Sequence, residues 1–176
     1  DTLAIHGGFD NDSGSGATAV PIFQTTAFEY KTAQELSNVF AGRAPGYIYT
    51  RIANPTTYAL EQRLTNLESG IGCIATSSGM GAITAAMMGL LRAGDSIVAA
   101  SGIFGGTVSL LENTLGRFSI TTKWVSAADT SQIEDAIDDT TKLVFVETIG
   151  NPRLDIPDIE AIAKLTKAAN IPLVVD

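Results

Sequence analysis

The stretch of sequence that decides the fold is DSIVAASGIFGGTVSLLENTLGRFSITTKWV, residues 95–125. Two β-rich runs, Ser96–Ala100 and Ile120–Val125, flank a helical pattern over Phe104–Leu115. Short strands that alternate with helices are typical of βαβ units in a parallel sheet. The same alternation continues from residue 71 to residue 176. It predicts further strands at 72–77, 143–148 and 172–175, and further helices at 79–92, 130–137 and 156–169.

The apolar runs KLVFVET, residues 142–148, and PLVVD, residues 172–176, show no alternation of polar and apolar residues. This is expected where helices cover both faces of a parallel sheet. We therefore predict an α/β fold with a mostly parallel sheet and helices on both faces. Right-handed crossovers would place the carboxyl ends of the strands along one edge, where open α/β sheets bind ligands.

The first 70 residues have a different character. Residues 1–30 are rich in Gly, Ser and Thr and predict an extended arm, followed by a short helix at 32–40. After the loop AGRAPGYIYTRIANP, residues 41–55, Asn54 and Pro55 give the N-cap and N1 signals of a helix that closes at Gly70. We predict an arm and inter-subunit loop over 1–55 and an α/β domain over 56–176.

Composition narrows the classes of function. The 176 residues are 45% hydrophobic and carry a net charge of -8 without a Lys/Arg cluster, which disfavours nucleic acid and anionic membranes as partners. No stretch approaches the roughly 20 apolar residues of a membrane-spanning helix, and we expect a cytoplasmic protein. The single cysteine, Cys73, is predicted to be a buried core residue, and the single histidine, His6, predicts no metal site.

The first stretch whose residues could take part in binding or catalysis is ATSSGMGAITAAMM, residues 75–88. Here a predicted strand ends at Ser77 and Ser78, and a helix begins at Gly79. Free backbone N–H groups at a helix N-terminus suit a phosphate, although a bare tight turn would need glycine too. A dinucleotide-binding turn is weakened by Thr84 and by the absence of an acid after VAASG, and a P-loop lacks its Gly-Lys-Ser/Thr.

Two further stretches carry polar groups. In GYIYTRIANPTT, residues 46–57, an extended segment would place Tyr47, Tyr49 and Arg51 on one side, where a hydroxyl and a guanidinium could converge on one anion. The alternative is a solvated loop. In VETIGNP, residues 146–152, Glu147 and Asn151 follow a strand at the ligand edge, although Asn-Pro is also common in turns.

The last of these stretches is IPLVVD, residues 171–176, in which an apolar strand ends in Asp176. A buried carboxylate costs several kcal/mol unless it meets a cation or hydrogen-bond donors. One partner of this kind is a protonated heteroaromatic nitrogen, and an aspartate on the pyridinium nitrogen is how pyridoxal phosphate is held as an electron sink. The alternative is an N-cap for a following helix.

Taken in this order, the four stretches resemble the Cys/Met-metabolism family of pyridoxal-phosphate enzymes, from about His6 to Asp176. The family includes cystathionine synthases and lyases, methionine γ-lyase and O-acetylhomoserine sulfhydrylase. The segments AVPIFQTTAF, GYIYTRIANPT and VETIGNP look most like the sulfhydrylase branch. The resemblance implies the large domain of a fold type I transferase, here in truncated form.

The resemblance also implies roles for individual residues. A phosphate grip is implied for Tyr49, Arg51, Ser78, Gly79 and Met80, with the tyrosine and arginine supplied by the neighbouring subunit. Phe104 matches the family tyrosine that stacks on the cofactor ring, Asn151 the residue near the phenolic oxygen, and Asp176 the partner of the ring nitrogen. Glu147 matches an acidic position near the site, to which we assign no role. Phenylalanine can still stack but cannot exchange a proton. Gly106 stands where methionine γ-lyases tend to have cysteine, which favours a sulfhydrylase or synthase over a lyase.

The implied reaction is γ-replacement on O-acetyl-L-homoserine with sulfide or a thiol, which gives homocysteine or methionine plus acetate in methionine biosynthesis. The alternatives are a methionine γ-lyase, a cystathionine synthase or lyase, a non-catalytic cofactor-binding or assembly fragment and, less favoured, a nucleotide-binding domain. The family's dimers share active sites and commonly pair into tetramers.

The lysine that the family requires is not found in this sequence. Its Schiff-base lysine lies in a Ser-x-Thr-Lys motif, and no lysine of this chain has that context: Lys31, Lys123, Lys142, Lys164 and Lys167. We therefore expect this chain to be an N-terminal portion that is completed by a companion C-terminal segment carrying the lysine.

Overall fold

The computed structural model describes residues 2–8 and 16–176. The chain divides into two units, Asp1–Ala75 and Thr76–Asp176. The predicted division at residues 55 and 56 concerns the domains of a complete enzyme and stays a prediction.

Among its described residues, the first unit forms the helices α1 (Thr2–His6), α2 (Ala33–Phe40) and α3 (Pro55–Leu67). The N-cap of α3 is Asn54, as predicted, but the helix ends at Leu67 rather than at Gly70. The prediction of an extended arm over residues 1–30 is wrong at Thr2–His6. This helical turn packs beside α3, where the Arg63 side chain donates from Nε to the Gly7 carbonyl oxygen at 3.2 Å. The part of the arm at residues 9–15 lies outside the described residues.

The second unit is built on a sheet of β1 (Ser96–Ala100), β2 (Thr121–Val125), β3 (Thr141–Val146) and β4 (Leu173–Val175). The strand order is β2-β1-β3-β4 and every pair is parallel, which confirms the predicted fold class. All of β1 and residues 143–146 of β3 are buried, so both faces of these central strands are covered. Their largest buried side chains include Phe145, Ile97 and Leu143.

The helices of this unit are α4 (Gly79–Leu90), α5 (Gly105–Ser109), α6 (Thr130–Ala136) and α7 (Ile159–Ala168). The helix predicted at Phe104–Leu115 begins as α5, widens into a π-helical turn at Leu110–Thr114 and closes as a 3₁₀ turn at Leu115–Phe118. The helix predicted from residue 156 begins later, because Asp158 caps it by accepting the Ala161 N–H at 2.9 Å. No helix in the described ranges is long and apolar enough to cross a membrane.

The strand predicted at residues 72–77 is wrong, because this segment forms no strand in the described chain. Ile71 and Ile74 are exposed, and Cys73 is half-buried rather than a core residue. An apolar run becomes a strand only where a neighbouring strand accepts its backbone hydrogen bonds. Here the Ala75 N–H instead donates to the Glu61 carboxylate of α3 at 2.9 Å.

Candidate active site

The N-terminus of α4 is held open by its cap. Ser78 is extended and its hydroxyl oxygen accepts the Gly81 N–H at 3.0 Å, while its carbonyl oxygen accepts the Ala82 N–H at 3.0 Å. Within the described part of the chain, the N–H groups of Gly79 and Met80 have no partner. These two donors therefore remain free at the positive end of the helix dipole.

The glycines of this turn leave room for a ligand. A Cβ atom at Gly79 would meet nothing within 4 Å, so the space beside the two free N–H groups is open. A Cβ at Gly81 would lie 3.2 Å from the Ser78 hydroxyl oxygen and would press on the cap. Open, unpartnered N–H groups at a helix N-terminus are the ordinary protein site for a phosphate.

Phe104 follows β1 and directly precedes α5, with its side chain 47% exposed. Its ring lies over Gly106, where a Cβ atom would overlap the ring at Cε1. The glycine at 106 therefore has a steric reason that sequence analysis missed: it makes room for the ring. Thr107, the next residue of α5, is fully buried and its hydroxyl donates to the Met80 sulfur at 3.9 Å, which brings α5 next to the start of α4.

Glu147 lies at the carboxyl end of β3 and is 7% exposed. Its Oε1 accepts the Phe104 N–H at 2.8 Å and its Oε2 accepts the Asn151 N–H at 3.1 Å. One carboxylate thus joins two of the predicted site residues through their backbones. The Asn151 side chain is exposed, and the peptide bond to Pro152 is cis.

Two glycines allow the loops that follow β1 and β3 to approach closely. A Cβ atom at Gly150 would lie 2.5 Å from the Gly102 carbonyl oxygen. A Cβ at Gly102 would lie 2.6 Å from Oδ2 of Asp155. The sequence signal was present, since both glycines follow a predicted strand, but their mutual contact was not visible in it.

Asp176 follows β4, which is an edge strand among the four described. Its N–H donates to the Val146 carbonyl oxygen at 3.0 Å, and its carbonyl oxygen accepts the Thr148 N–H at 2.8 Å. The prediction of a buried carboxylate is wrong for this structure, because Asp176 is exposed and Val175 beside it is 39% exposed. The backbone pairing nevertheless holds Asp176 beside the loop that carries Asn151.

In the first unit, Tyr49 and Arg51 form a pair. The Arg51 guanidinium carbon lies 4.8 Å from the centroid of the Tyr49 ring, a cation–π distance. The chain turns here, because the Ile52 and Ala53 N–H groups both donate to the Tyr49 carbonyl oxygen, at 2.8 and 3.1 Å. Both side chains of the pair are exposed.

The prediction that Tyr47 shares one side with this pair is wrong. The turn at Tyr49 breaks the extended geometry, and the Tyr47 ring packs instead against Phe28, at 5.5 Å between centroids, and Tyr58, at 6.5 Å. Burial raises the pKa of the Tyr47 hydroxyl, and the nearby Tyr58 and Glu61 add to the increase. Tyr47 is therefore a packing residue of the first unit.

Part of the predicted arm pairs with this loop. Ala27 and Tyr49 form an antiparallel bridge, flanked by hydrogen bonds from the Phe28 N–H to Ile48 at 3.1 Å and from the Thr50 N–H to Thr26 at 2.9 Å. This pairing fixes the backbone that carries Tyr49. The sequence patterns predicted the arm and the loop separately but not their pairing.

A parallel α/β sheet with an open helix N-terminus, an exposed aromatic ring and polar loops at its carboxyl edge defines a class of cofactor-binding enzyme domain. The family model for Cys/Met metabolism PLP-dependent enzymes matches residues 1–176, and the chain belongs to that family. This confirms the resemblance stated from the sequence.

Individual relatives point in the same direction. The chain is 43% identical over 176 residues to the homocysteine synthase of Schizosaccharomyces pombe and 39% identical over 176 residues to the O-acetyl-L-homoserine sulfhydrylase of Leptospira meyeri. It covers 41% and 40% of their lengths, and they cover 100% of it.

A solved structure described as an O-acetylhomoserine (thiol)-lyase from Campylobacter jejuni superposes with a TM-score of 0.92 at 36% identity, over 99% of this chain and 43% of that one. That protein carries N′-pyridoxyl-lysine-5′-monophosphate. The chain thus spans about two fifths of the length of the proteins it matches.

Proposed function

We propose that this chain forms the N-terminal part of a pyridoxal-phosphate enzyme that replaces the acetoxy group at Cγ of O-acetyl-L-homoserine with the sulfur of sulfide or a thiol. The products are homocysteine or methionine, and acetate. The observation that carries the proposal is the grouping of the α4 N-terminus, the Phe104 ring and the Asn151 loop on one side of a parallel sheet, linked through Thr107 and Glu147.

The residues of the second unit fit the cofactor. The free N–H groups of Gly79 and Met80, with Ser78 as the cap that orients them, would hold its phosphate. The Phe104 ring would stack on the pyridine ring, since the residue is 47% exposed. When bound, pyridoxal phosphate supplies an electron sink that stabilises the charge left when a substrate C–H bond breaks.

Two polar side chains would act on the cofactor ring. The Asp176 carboxylate would keep the ring nitrogen protonated, and the Asn151 amide would donate a hydrogen bond on the side of the phenolic oxygen. Both positions follow from the family resemblance. Their placement on neighbouring strands β4 and β3, tied by the pairing of Asp176 with Val146 and Thr148, supports the assignment.

The first unit would supply the positive charge. Arg51 and Tyr49 would reach the phosphate of the neighbouring subunit in a homodimer, and such dimers would pair into tetramers in the cytoplasm. The cation–π contact would favour one orientation of the guanidinium before the anion arrives, which would lower the entropy lost on binding.

A proton carrier is still required. Phe104 has no hydroxyl, so it can orient the ring but cannot move a proton. We propose that the lysine of a companion C-terminal segment carries the cofactor and shuttles protons at the substrate carbons. The amino-acid substrate and the sulfur nucleophile would enter from the exposed side of Phe104.

Gly106 favours γ-replacement over the methionine γ-lyase alternative. The Phe104 ring occupies the space that a cysteine Cβ would need at position 106, the position at which methionine γ-lyases tend to have cysteine. A γ-lyase or cystathionine enzyme would otherwise use the same residues, and a non-catalytic cofactor-binding fragment would use the phosphate site alone.

Product analysis tests the proposal on the complete enzyme, this chain together with the segment that supplies the lysine. With O-acetyl-L-homoserine and sulfide, we expect equal amounts of homocysteine and acetate, and no methanethiol from methionine. Methanethiol released from methionine at a comparable rate would favour the lyase, and cofactor binding without turnover of either substrate would favour the non-catalytic fragment.

A further inference from the structure

Glu147 is a buried carboxylate that has no cation beside it. It is 7% exposed, and no ion pair in residues 2–8 and 16–176 involves it. A carboxylate in such a position is costly unless hydrogen bonds compensate for the lost water. The compensation comes from backbone N–H groups alone, those of Phe104 at 2.8 Å and Asn151 at 3.1 Å.

We propose that Glu147 is a positioning residue that sets the positions of the Phe104 ring and the Asn151 side-chain amide relative to each other. The inference rests on the proposed function for the meaning of those two side chains, but its geometry is independent of any ligand. Phe104 belongs to the loop after β1 and Asn151 to the loop after β3. One carboxylate therefore fixes the spacing between the residue assigned to the cofactor face and the residue assigned to its oxygen edge.

In the described chain, few contacts other than the Phe104–Glu147 hydrogen bond join these two loops. Between residues 101–104 and 147–151, the bond from Phe104 to Glu147 is the one hydrogen bond that joins the two loops. The neighbouring approach of Gly150 to the Gly102 carbonyl is a packing contact without a hydrogen bond. Packing holds the two loops together, whereas the Glu147 carboxylate fixes the position of one loop relative to the other.

The charge state explains why a glutamate suits this position. An ionised carboxylate has two acceptor oxygens and can serve both N–H groups at once. A glutamine of the same shape has one acceptor oxygen, and its NH₂ group would face the second N–H as donor against donor. Hydrogen bonds to a charged acceptor are also stronger than those to a neutral one.

The spacing matters here because Phe104 lacks the hydroxyl of the family tyrosine. A tyrosine can be oriented from the far end of its ring by a hydrogen bond, but a phenylalanine ring takes its place only from its backbone and from packing. In this chain the backbone anchor is Glu147, and the packing surface is Gly106.

The first experiment is residue-resolved hydrogen exchange on the protein without cofactor. Glu147→Gln is compared with Glu160→Gln, which makes the same chemical change at an exposed position of α7, where Glu160 forms an ion pair with Lys164. In Glu147→Gln, we expect the backbone amide of Phe104, of Asn151 or of both to exchange about tenfold faster or more, while the backbone amides of β3 keep their protection. Glu160→Gln should change neither. Unchanged exchange at both amides of Glu147→Gln would overturn the proposal.

The wild-type protein provides a reading that does not depend on a variant. Phe104 and Asn151 are both exposed residues. The Glu147 clamp, the pair of hydrogen bonds from their backbone N–H groups to the Glu147 carboxylate, nevertheless predicts that both backbone amides are protected at least about tenfold relative to an unstructured chain. Absence of protection at either amide would refute the clamp even if Glu147→Gln failed to fold.

The second experiment separates this inference from the proposed function. Pyridoxal phosphate is titrated into the complete enzyme, and its induced circular dichroism is measured in the cofactor absorption band. We expect Glu147→Gln to bind severalfold more weakly with a changed induced signal, and Glu160→Gln to match the wild type. If the wild type binds no pyridoxal phosphate, the proposed function fails while the exchange result stands. If the wild type binds and Glu147→Gln gives the same affinity and the same signal, the positioning role fails.

Discussion

Asn54 joins three segments of the first unit and offers a quantitative test of how the Tyr49 turn is held. It is 4% exposed. Its Oδ1 accepts the Thr56 N–H at 2.9 Å and so caps α3, and its Nδ2 donates to the Phe23 carbonyl oxygen at 2.9 Å and to the Thr50 hydroxyl oxygen at 3.0 Å. The amide therefore ties α3, the arm and the turn together.

Asn54→Ala removes all of these bonds. The cap is worth about 1 kcal/mol, and each of the other two hydrogen bonds contributes about 0.5–1.5 kcal/mol. The expected loss of local stability is therefore about 2–4 kcal/mol. Asn54→Ser is the matched variant, because serine keeps a capping oxygen but has no amide to donate. The expected loss of local stability in Asn54→Ser is about 1–3 kcal/mol, the contribution of the two hydrogen bonds that the Asn54 Nδ2 donates.

Hydrogen exchange at the Phe28 and Thr50 amides measures this loss, because both amides close the pairing of arm and loop. At about 1.4 kcal/mol per tenfold, Asn54→Ala should speed their exchange about 30- to 700-fold and Asn54→Ser about 5- to 140-fold. Equal rates in the two variants would mean that the cap adds nothing. Wild-type rates in both would refute the view that Asn54 tethers the arm to the turn.

Three further predictions concern the second unit. Gly150→Ala should lower the free energy of unfolding by about 1–3 kcal/mol in urea, because its Cβ meets the Gly102 backbone; Gly102→Ala, which meets the end of a flexible carboxylate, should cost less, and the reverse order would contradict this. The hydrogen bond from Lys123 is the main cause that lowers the pKa of Asp138, so this contribution is complete above the ordinary carboxyl pKa of about 4 and is lost as the pH falls through the folded value. Lys123→Met should therefore be less stable than the wild type at pH 7, with the difference shrinking in thermal melts below about pH 4; a constant difference would contradict the assignment. Thr122→Val removes a buried hydroxyl without a partner in the described chain and should raise stability by about 1 kcal/mol, whereas a loss would reveal a missed partner.

The strands that could be predicted are those whose sequence alone demands burial. Ser96–Ala100 and the run ending at Val146 are apolar without alternation, and all of the first run and residues 143–146 of the second are buried. The run at residues 72–77 has the same local character but forms no strand, because pairing depends on a neighbour that no local pattern specifies. The helix starts at the caps Asn54 and Ser78 were predicted, whereas the cap at Asp158 was missed and the start of α7 was placed too early.

The site was predictable in its parts but not in its connections. The free N–H groups at Gly79 follow from a Ser-Gly step after a strand-like run, and exposed Asn151 follows from its place after β3. The link between Phe104 and Glu147 spans 43 residues and depends on two strands lying side by side. No spacing rule predicts such a contact. The sequence therefore placed Glu147 near the site but did not indicate its role.

The charges of the second unit bear on the proposed sharing of phosphate sites between subunits. The carboxyl edge of the second unit carries Glu147 and Asp176, and the residues assigned to the site there include no lysine or arginine. A helix dipole offers an anion only about 0.3–1 kcal/mol at an exposed end, which is little for a dianion in a protein of net charge -8. In the proposed dimer, Arg51 would supply positive charge, and its contact with the Tyr49 ring would favour one orientation of the guanidinium. The lack of lysine and arginine among the site residues of the second unit therefore gives the proposed sharing of active sites between subunits an electrostatic reason.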